Sequence, residues 1–150
     1  DGIYYLYADG SAELFDFAKQ NKPQKMVKRI GVIMGMRSIA INLEDLPEQP
    51  LTNTQDDGNY DGYIDNYDDA VADWNGKSNT EHIKQVGTDI RSINAAIEFS
   101  GGSRIKDGWY WSSTEHSATN AWYLYLYDGD LGWHTKVSRS FYVRAVAAFH

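Results

Sequence analysis

The alternation of apolar and polar positions predicts strands in the first third of the chain. Ile3–Tyr7, Val27–Met34 and Ser38–Leu43 are short runs rich in β-branched or aromatic side chains, which is typical of strands. Gly35 separates the last two runs, and the alternation in the second of them places Ile39, Ile41 and Leu43 on one side. We therefore expect a β-hairpin there that contributes one face to the core.

Three segments are predicted to be helical. Ser11–Gln20 has apolar residues at a loose helical spacing, and Asn79–Val86 and Thr88–Phe99 follow later in the chain. The apolar stripe of the last segment consists of Ile90, Ile93 and Ile97. Gly101-Gly102 comes directly after it and is the expected helix stop.

The pattern becomes a strict alternation in the last quarter of the chain. In Trp122–Tyr127 the tryptophan and leucines point to one side of a predicted strand and the tyrosines to the other. Asp128-Gly129 follows as a hairpin turn signal, and Phe141–Phe149 is predicted to be a second strand. If the leucine side is buried, the tyrosines form an exposed row, which is typical of binding surfaces. The alternative is that a helix or another sheet covers them.

Composition narrows the class of protein. The 150 residues suffice for one domain, and 11 Tyr and 5 Trp are numerous for residue types that are enriched at binding surfaces. A net charge of −7 argues against nucleic acid as a partner, because such binding needs clustered Lys and Arg. The lack of cysteine excludes disulfides, thiol catalysis and Cys-zinc sites. No apolar run is long enough for a membrane span, so we expect no membrane insertion.

An acidic segment begins at Pro47 and Pro50, runs to about Asp73, and is predicted to be irregular. Within it, the sequence DGNYDGYIDNYD repeats oxygen-bearing residues at the spacing of an EF-hand-type calcium loop. The predicted ligands, of which the tyrosine acts through its carbonyl, are Asp57, Asn59, Asp61, Tyr63, Asp65 and Asp68. We expect a structural calcium ion that stabilises this long loop; the alternative is a solvated acidic loop.

Several motifs near the C-terminus carry a family resemblance: Tyr110–Glu115 (YWSSTE), Asn120–Trp122 (NAW) and Val143–Val146 (VRAV), together with Gly129 and Lys136. They resemble the C-terminal part of domains in the C-type-lectin-fold family. The resemblance is to the branch that the Lcl C-terminal adhesin domain shares with the variable proteins of diversity-generating retroelements, including gut Bacteroides members. It implies a single α+β domain, with a mainly antiparallel twisted sheet and one or two helices, at the C-terminal end of a larger surface protein. It therefore also implies an extracellular or cell-surface location.

In that branch, randomised adenines convert Asn codons into codons for other residues. This implies a contact face whose residues vary and a frame, meaning the invariant residues that support this face. This process does not produce Trp or Lys, so the resemblance assigns Trp122, Trp133 and Lys136 to the frame. The predicted contact face, which also includes Trp133, consists of His116, Thr119, Tyr123, Tyr125, Tyr127, Asp128, Asp130, Gly132, Trp133, His134, Thr135, Val137, Ser138, Ser140, Phe141 and Tyr142.

The function implied is adhesin-type ligand or receptor binding at a pilus tip or cell surface, with a protein or glycan on another surface as the partner. We expect no catalysis, because Ser112, Ser113 and His116 lack a nucleophile-elbow pattern. One alternative is a structural pilus or assembly module, which a stable oligomer with buried tyrosines would favour. Another is a calcium-dependent carbohydrate-binding module; sugar binding that persists in chelator without loss of the fold would exclude a direct calcium contact.

The gene sequence tests whether the contact face is diversified. Randomised adenines leave the third base of an Asn codon unchanged, so codons at the predicted contact positions other than Trp133 should end in C or T. Sequencing the gene checks this directly. Codons ending in A or G at these positions would exclude the retroelement interpretation.

Overall fold

The computed structural model describes residues 2–34, 37–51, 90–127 and 130–148, and these residues form an α+β structure of ten strands and one helix. The strands are β1 Gly2–Tyr7, β2 Ala12–Phe15, β3 Val27–Met34, β4 Arg37–Asn42, β5 Leu46–Gln49, β6 Trp109–Glu115, β7 Asn120–Tyr125, β8 Asp130–Thr135, β9 Phe141–Val143 and β10 Val146–Ala148. The helix, α1, comprises residues 90–99.

Contacts divide the chain into two compact units, each with its own five-stranded sheet. The first unit consists of Asp1–Leu46, Thr88–Ile105 and Arg144–His150, and the second of Pro47–Gly87 and Lys106–Val143. The chain therefore leaves and re-enters each unit. The expectation of a single domain stays a prediction.

The sheet of the first unit has the strand order β10-β4-β3-β1-β2, and its neighbouring strands are antiparallel. Strands β1, β3 and β4 confirm the three predicted N-terminal strands to within one residue, and β3 and β4 form the predicted pair. Ile30 and Ile41 face each other in this pair and are buried. Ala40 is buried as well, whereas Ile39, which the alternation assigned to the core face, is 37 % exposed. Residues on both sides of β4 are therefore buried, and a strict alternation of buried and exposed side chains describes this strand only in part.

The prediction of a helix over Ser11–Gln20 is wrong, because this segment forms β2 and then a turn. Phe15 packs edge-on against Tyr5 and Phe99, with ring centroids 5.6 Å and 6.1 Å away. The carboxylate of Asp16 accepts the backbone N–H groups of Ala18 and Lys19, which turns the chain directly after the strand. Aromatic packing at one position thus outweighs the loose helical spacing.

The acidic segment that was predicted to be irregular from Pro47 onwards begins instead as a strand, because Leu46–Gln49 is β5. β5 is an edge strand of the second sheet, where Pro47 needs no N–H group for a further neighbour. The indole N–H of Trp111 donates to the carbonyl of Gln49 at 2.9 Å. β5 is therefore attached to the sheet through a side chain as well as through its pairing with β9.

Helix α1 confirms the predicted helix Thr88–Phe99 over its described residues, whereas the predicted helix Asn79–Val86 lies outside the described residues. Ile93 and Ile97 are buried on its apolar side. Its end is a Schellman motif, in which the N–H of Gly102 donates to Ile97 and that of Gly101 donates to Glu98. Gly101 has φ of 82°, a conformation that favours glycine, so the predicted stop at Gly101-Gly102 is confirmed.

The prediction of one continuous strand over Phe141–Phe149 is wrong, because the segment contains β9 in the second sheet and β10 in the first. Between them, the guanidinium of Arg144 donates to the carboxylate of Asp45 at 2.7 Å and to the carbonyls of Asn42 and Ser103 at 3.1 Å and 2.6 Å. The side chains of Arg144 and Asp45 are only 5 % and 9 % exposed. This three-acceptor contact holds the chain where it passes from one sheet to the other.

Replacing Arg144 by alanine should destabilise the fold by about 3 kcal/mol, because it removes one partner of a buried ion pair. Urea denaturation measures this change. Lys25→Ala is the matched control, since Lys25 forms an ion pair with Asp9 in which both side chains are more than half exposed; it should leave the unfolding midpoint nearly unchanged. Equal effects of the two substitutions would contradict the anchoring role of Arg144.

Candidate functional site

The second unit contains one sheet face that is dominated by aromatic side chains. Trp109 pairs with Tyr125 and Trp111 with Tyr123 across β6 and β7, and Tyr123 also pairs with Gly132 on β8. Directly paired residues lie on the same side of a sheet, so these side chains share one face. We call it the Tyr face; Phe141, which packs against Trp111, and His134, which pairs with buried Ala121, also belong to it.

The Tyr face is buried at its base. Trp111, Ala121 and Phe141 form a buried cluster, and Tyr123 and Val143 pack against it. The opposite side of the same strands is buried at Trp122 and Tyr110, which are 2 % and 6 % exposed. The sheet is therefore packed on both sides at its centre, and only part of the tyrosine row is open to solvent.

Exposure increases along the aromatic row. The ring of Trp109 stacks on Tyr125, with centroids 4.2 Å apart and planes 10° apart, and meets Tyr123 edge-on at 4.8 Å. Tyr125 in turn stacks on Tyr127 at 5.9 Å. Trp109 is 40 % exposed and Tyr127 is 71 % exposed. The row thus continues from a packed base to an accessible end.

Tyr123 lies directly over Gly132. A Cβ atom built at Gly132 would lie 2.5 Å from Cζ and 3.0 Å from Cε1 of the Tyr123 ring. No real side chain tolerates such contacts, so the ring holds this position only because residue 132 lacks a side chain. The glycine thereby permits the orientation of Tyr123 that contributes to the wall of the groove described next.

An open groove of about 510 Å³ lies on the Tyr face. Its lining residues are Trp109, Tyr123, His134, Ser138, Arg139, Ser140 and Phe141. Five of them belong to the predicted contact face, and sequence reasoning missed Trp109 and Arg139. The tryptophan could have been found by aligning the alternation of Trp109–Trp111 with that of Tyr123–Tyr125, whereas no local signal singles out Arg139.

Other predicted contact residues lie elsewhere. Trp133 pairs with Trp122 and Tyr142 pairs with Tyr110, so both lie on the opposite side of the sheet together with Thr135. His116 stacks on the exposed ring of Trp133, with centroids 4.3 Å apart. The structure therefore divides the predicted set between two faces. Asp130 shares the Tyr face, Thr119 and Val137 are exposed in turns, and Asp128 lies outside the described residues.

Two residues that the resemblance assigned to the frame are buried. Trp122 is one, and Lys136, only 2 % exposed, is the other. The ammonium group of Lys136 donates to the carboxylate of Glu115 at 2.7 Å and to the carbonyl of Ala118 at 2.9 Å. The backbone of Lys136 also donates to Thr119 and accepts from Leu51. Its bonds fix the turn that follows β8, whereas Trp133 is half-exposed.

The predicted calcium ligands, Asp57, Asn59, Asp61, Tyr63, Asp65 and Asp68, lie outside the described residues. Elsewhere, the described part of the chain has no group of three or more His, Asp or Glu side chains that could hold a metal. The hydroxyl of Ser112 donates to the carbonyl of Trp122 at 2.7 Å. This bond gives Ser112 a structural role within the sheet.

Comparison of the chain with models of known protein families, with curated proteins and with solved structures finds no match. Among the described residues, no helix has both the length and the apolar character that a membrane crossing requires. The site must therefore be interpreted from its own geometry.

Gly132→Ala should destabilise the protein by about 1–3 kcal/mol, because the new methyl group forces the Tyr123 ring from its position. Thermal or urea unfolding measures the loss. The double variant Gly132→Ala, Tyr123→Ser should lose clearly less than the sum of the two single variants, since the clash disappears with the ring. Additive losses would show that the ring and the glycine are not coupled.

Proposed function

We propose that the chain is an adhesin-type, non-catalytic ligand-binding domain of C-type-lectin type, displayed at a cell surface, and that the groove on the Tyr face is its contact site. One observation carries this proposal: five of the seven groove-lining residues belong to the contact face that was predicted from the sequence. These five residues are spread between Tyr123 and Phe141 in the sequence, and the fold gathers them around one concavity.

The chemistry of the groove suits recognition. Trp109, Tyr123 and Phe141 offer flat apolar surface, and Ser138 and Ser140 add exposed hydroxyls. Ligand sites commonly combine an apolar lining with a few polar groups that set orientation. Rigid aromatic side chains also provide contact area at a low cost in conformational entropy.

The support beneath the groove is consistent with a face whose residues vary while the frame remains. Trp111 and Trp122 are buried on the two sides of the sheet, and Lys136 holds the turn before Ser138. The proposed lectin-type fold rests on the resemblance of Tyr110–Glu115 and Val143–Val146, together with the α+β class of the structure. The calcium ion is proposed from the spacing of the acidic loop alone.

The opposite side of the sheet favours a second candidate function, that of an assembly module, although its interface would lie on this side and not on the tyrosine row that the sequence-based alternative would bury. Trp133 is 51 % exposed there and stacks on His116, and it lies on edge strand β8. An exposed aromatic residue on an edge strand is suited to packing against another subunit. The two candidates therefore use opposite sides of the same sheet, which makes them separable.

Tyr125→Ser and Trp133→Ser form a matched pair that tests the two sides. Both remove a partly exposed aromatic ring, one from the Tyr face and one from the side opposite. The labelled protein would be applied to a glycan array and to intact cells. Tyr125→Ser should reduce the binding signal at least about tenfold, because it removes the ring that stacks on the groove-lining Trp109, while Trp133→Ser should retain it.

Circular dichroism and light scattering provide the controls for folding and for mass in solution. Retained binding by Tyr125→Ser together with loss by Trp133→Ser would contradict the proposed contact site. If Trp133→Ser instead converts a stable oligomer into monomers, and neither the parent nor any variant binds the array or the cells, the assembly function is supported in its place.

A further inference from the structure

The polar end of the groove brings two hydrogen-bond donors against one histidine ring. The backbone N–H of Thr135 points at Nδ1 of His134 at 2.8 Å, and Nε of Arg139 lies 3.2 Å from Nε2 of the same ring. A neutral imidazole has one N–H donor and one acceptor nitrogen, so it cannot accept at both positions. One of the two contacts therefore places a donor against a donor.

The backbone contact determines which nitrogen accepts. Thr135 belongs to β8 and its N–H is fixed by the strand, whereas the Arg139 side chain is exposed and can rotate. Nδ1 therefore accepts from Thr135, and Nε2 carries the proton. The N–H at Nε2 and the guanidinium of Arg139 then face each other as two donors. If the exposed Arg139 side chain rotates away, an oxygen acceptor can bind to both, and the charge of the guanidinium favours an anion.

The surroundings of these donors indicate the kind of anion. Arg139 is the one Lys, Arg, Asp or Glu residue that lines the groove in the described part of the chain. The net charge of −7 disfavours highly charged polyanions, and one guanidinium in the lining matches a ligand with a single negative charge. A guanidinium is a planar fork that matches the two oxygens of a carboxylate.

We propose that the groove binds a carboxylate-bearing sugar, with the carboxylate on Arg139 and the Nε2–H of His134. The apolar face of the sugar ring packs on Trp109 and Tyr123, and its hydroxyls reach Ser138 and Ser140. The groove volume of about 510 Å³ accommodates one such ring with part of a neighbour. This inference rests on the proposed function, whose site it shares, and adds the class of ligand.

Methyl β-D-glucuronide and methyl β-D-glucoside are the matched probes, since they differ in the carboxylate at one carbon. Titration followed by NMR of the tryptophan indole N–H signals should show weak binding of the glucuronide, with Kd of about 1 mM for a ligand of this size. The glucoside should bind at least about tenfold more weakly, because its hydroxymethyl group offers the guanidinium neither a negative charge nor a pair of acceptor oxygens.

Arg139→Gln should weaken glucuronide binding at least about tenfold, and Arg139→Lys should restore only part of it, since an ammonium group lacks the planar fork. Arg104→Gln is the matched control, because Arg104 is also exposed but lies outside the groove. Equal binding of both sugars, equal effects of Arg139→Gln and Arg104→Gln, or no binding of the glucuronide at 20-fold the expected Kd would each overturn the proposal.

N-acetyl-L-alanine, which like the glucuronide carries one carboxylate, distinguishes a sugar carboxylate from a peptide carboxylate. If it binds as tightly as the glucuronide and competes with it, the carboxylate site is real but the assignment to a sugar is wrong. The proposed function is tested separately, by measuring how Tyr125→Ser changes binding to the glycan array and to cells. Loss of that binding with no preference for the glucuronide would overturn the ligand class and leave the contact site in place.

Discussion

The arrangement of the Tyr face depends on the register of β7 between β6 and β8. Ala121 and Trp122 are successive residues on opposite sides of this strand, and both are buried. A slip by one residue would exchange the tyrosines with the leucines and force the large Trp122 side chain into the packed base of the Tyr face, which now holds Ala121. Packing on both sides therefore fixes the register. The pairing of Trp109 with Tyr125, the position of Tyr123 over Gly132 and the groove itself all follow from it.

Local patterns were sufficient to predict several elements. The strands β1, β3 and β4 and the stop of α1 were predictable because their signals lie within the segments themselves. The segment Ser11–Gln20 was not, because its structure depends on Phe15 contacting Phe99 far along the chain. The break within the predicted strand Phe141–Phe149 has no local signal either. It depends on the contact of Arg144 with Asp45, which lies 99 residues away in the sequence.

The site shows the same division between local and distant information. Alternation predicted that the tyrosines of β7 share a side, which the strand geometry confirms. A continuous stretch of sequence cannot yield a one-sided site, because every second residue of a strand points away. Trp133 and Tyr142 therefore lie opposite Tyr123. Trp109 and Arg139 enter the groove only through strand pairing and a turn, which the order of residues does not reveal.

The contact between Tyr123 and Gly132 has a consequence for how such a face could change over evolutionary time. Two neighbouring positions that occupy one volume cannot be substituted independently: a ring in the orientation of Tyr123 requires a bare backbone at residue 132. A smaller residue at 123 would admit a side chain at 132 and move bulk from the groove wall to edge strand β8. The accessible variants of this surface are therefore fewer than the product of the choices at each position, and the viable ones differ in shape in a correlated way.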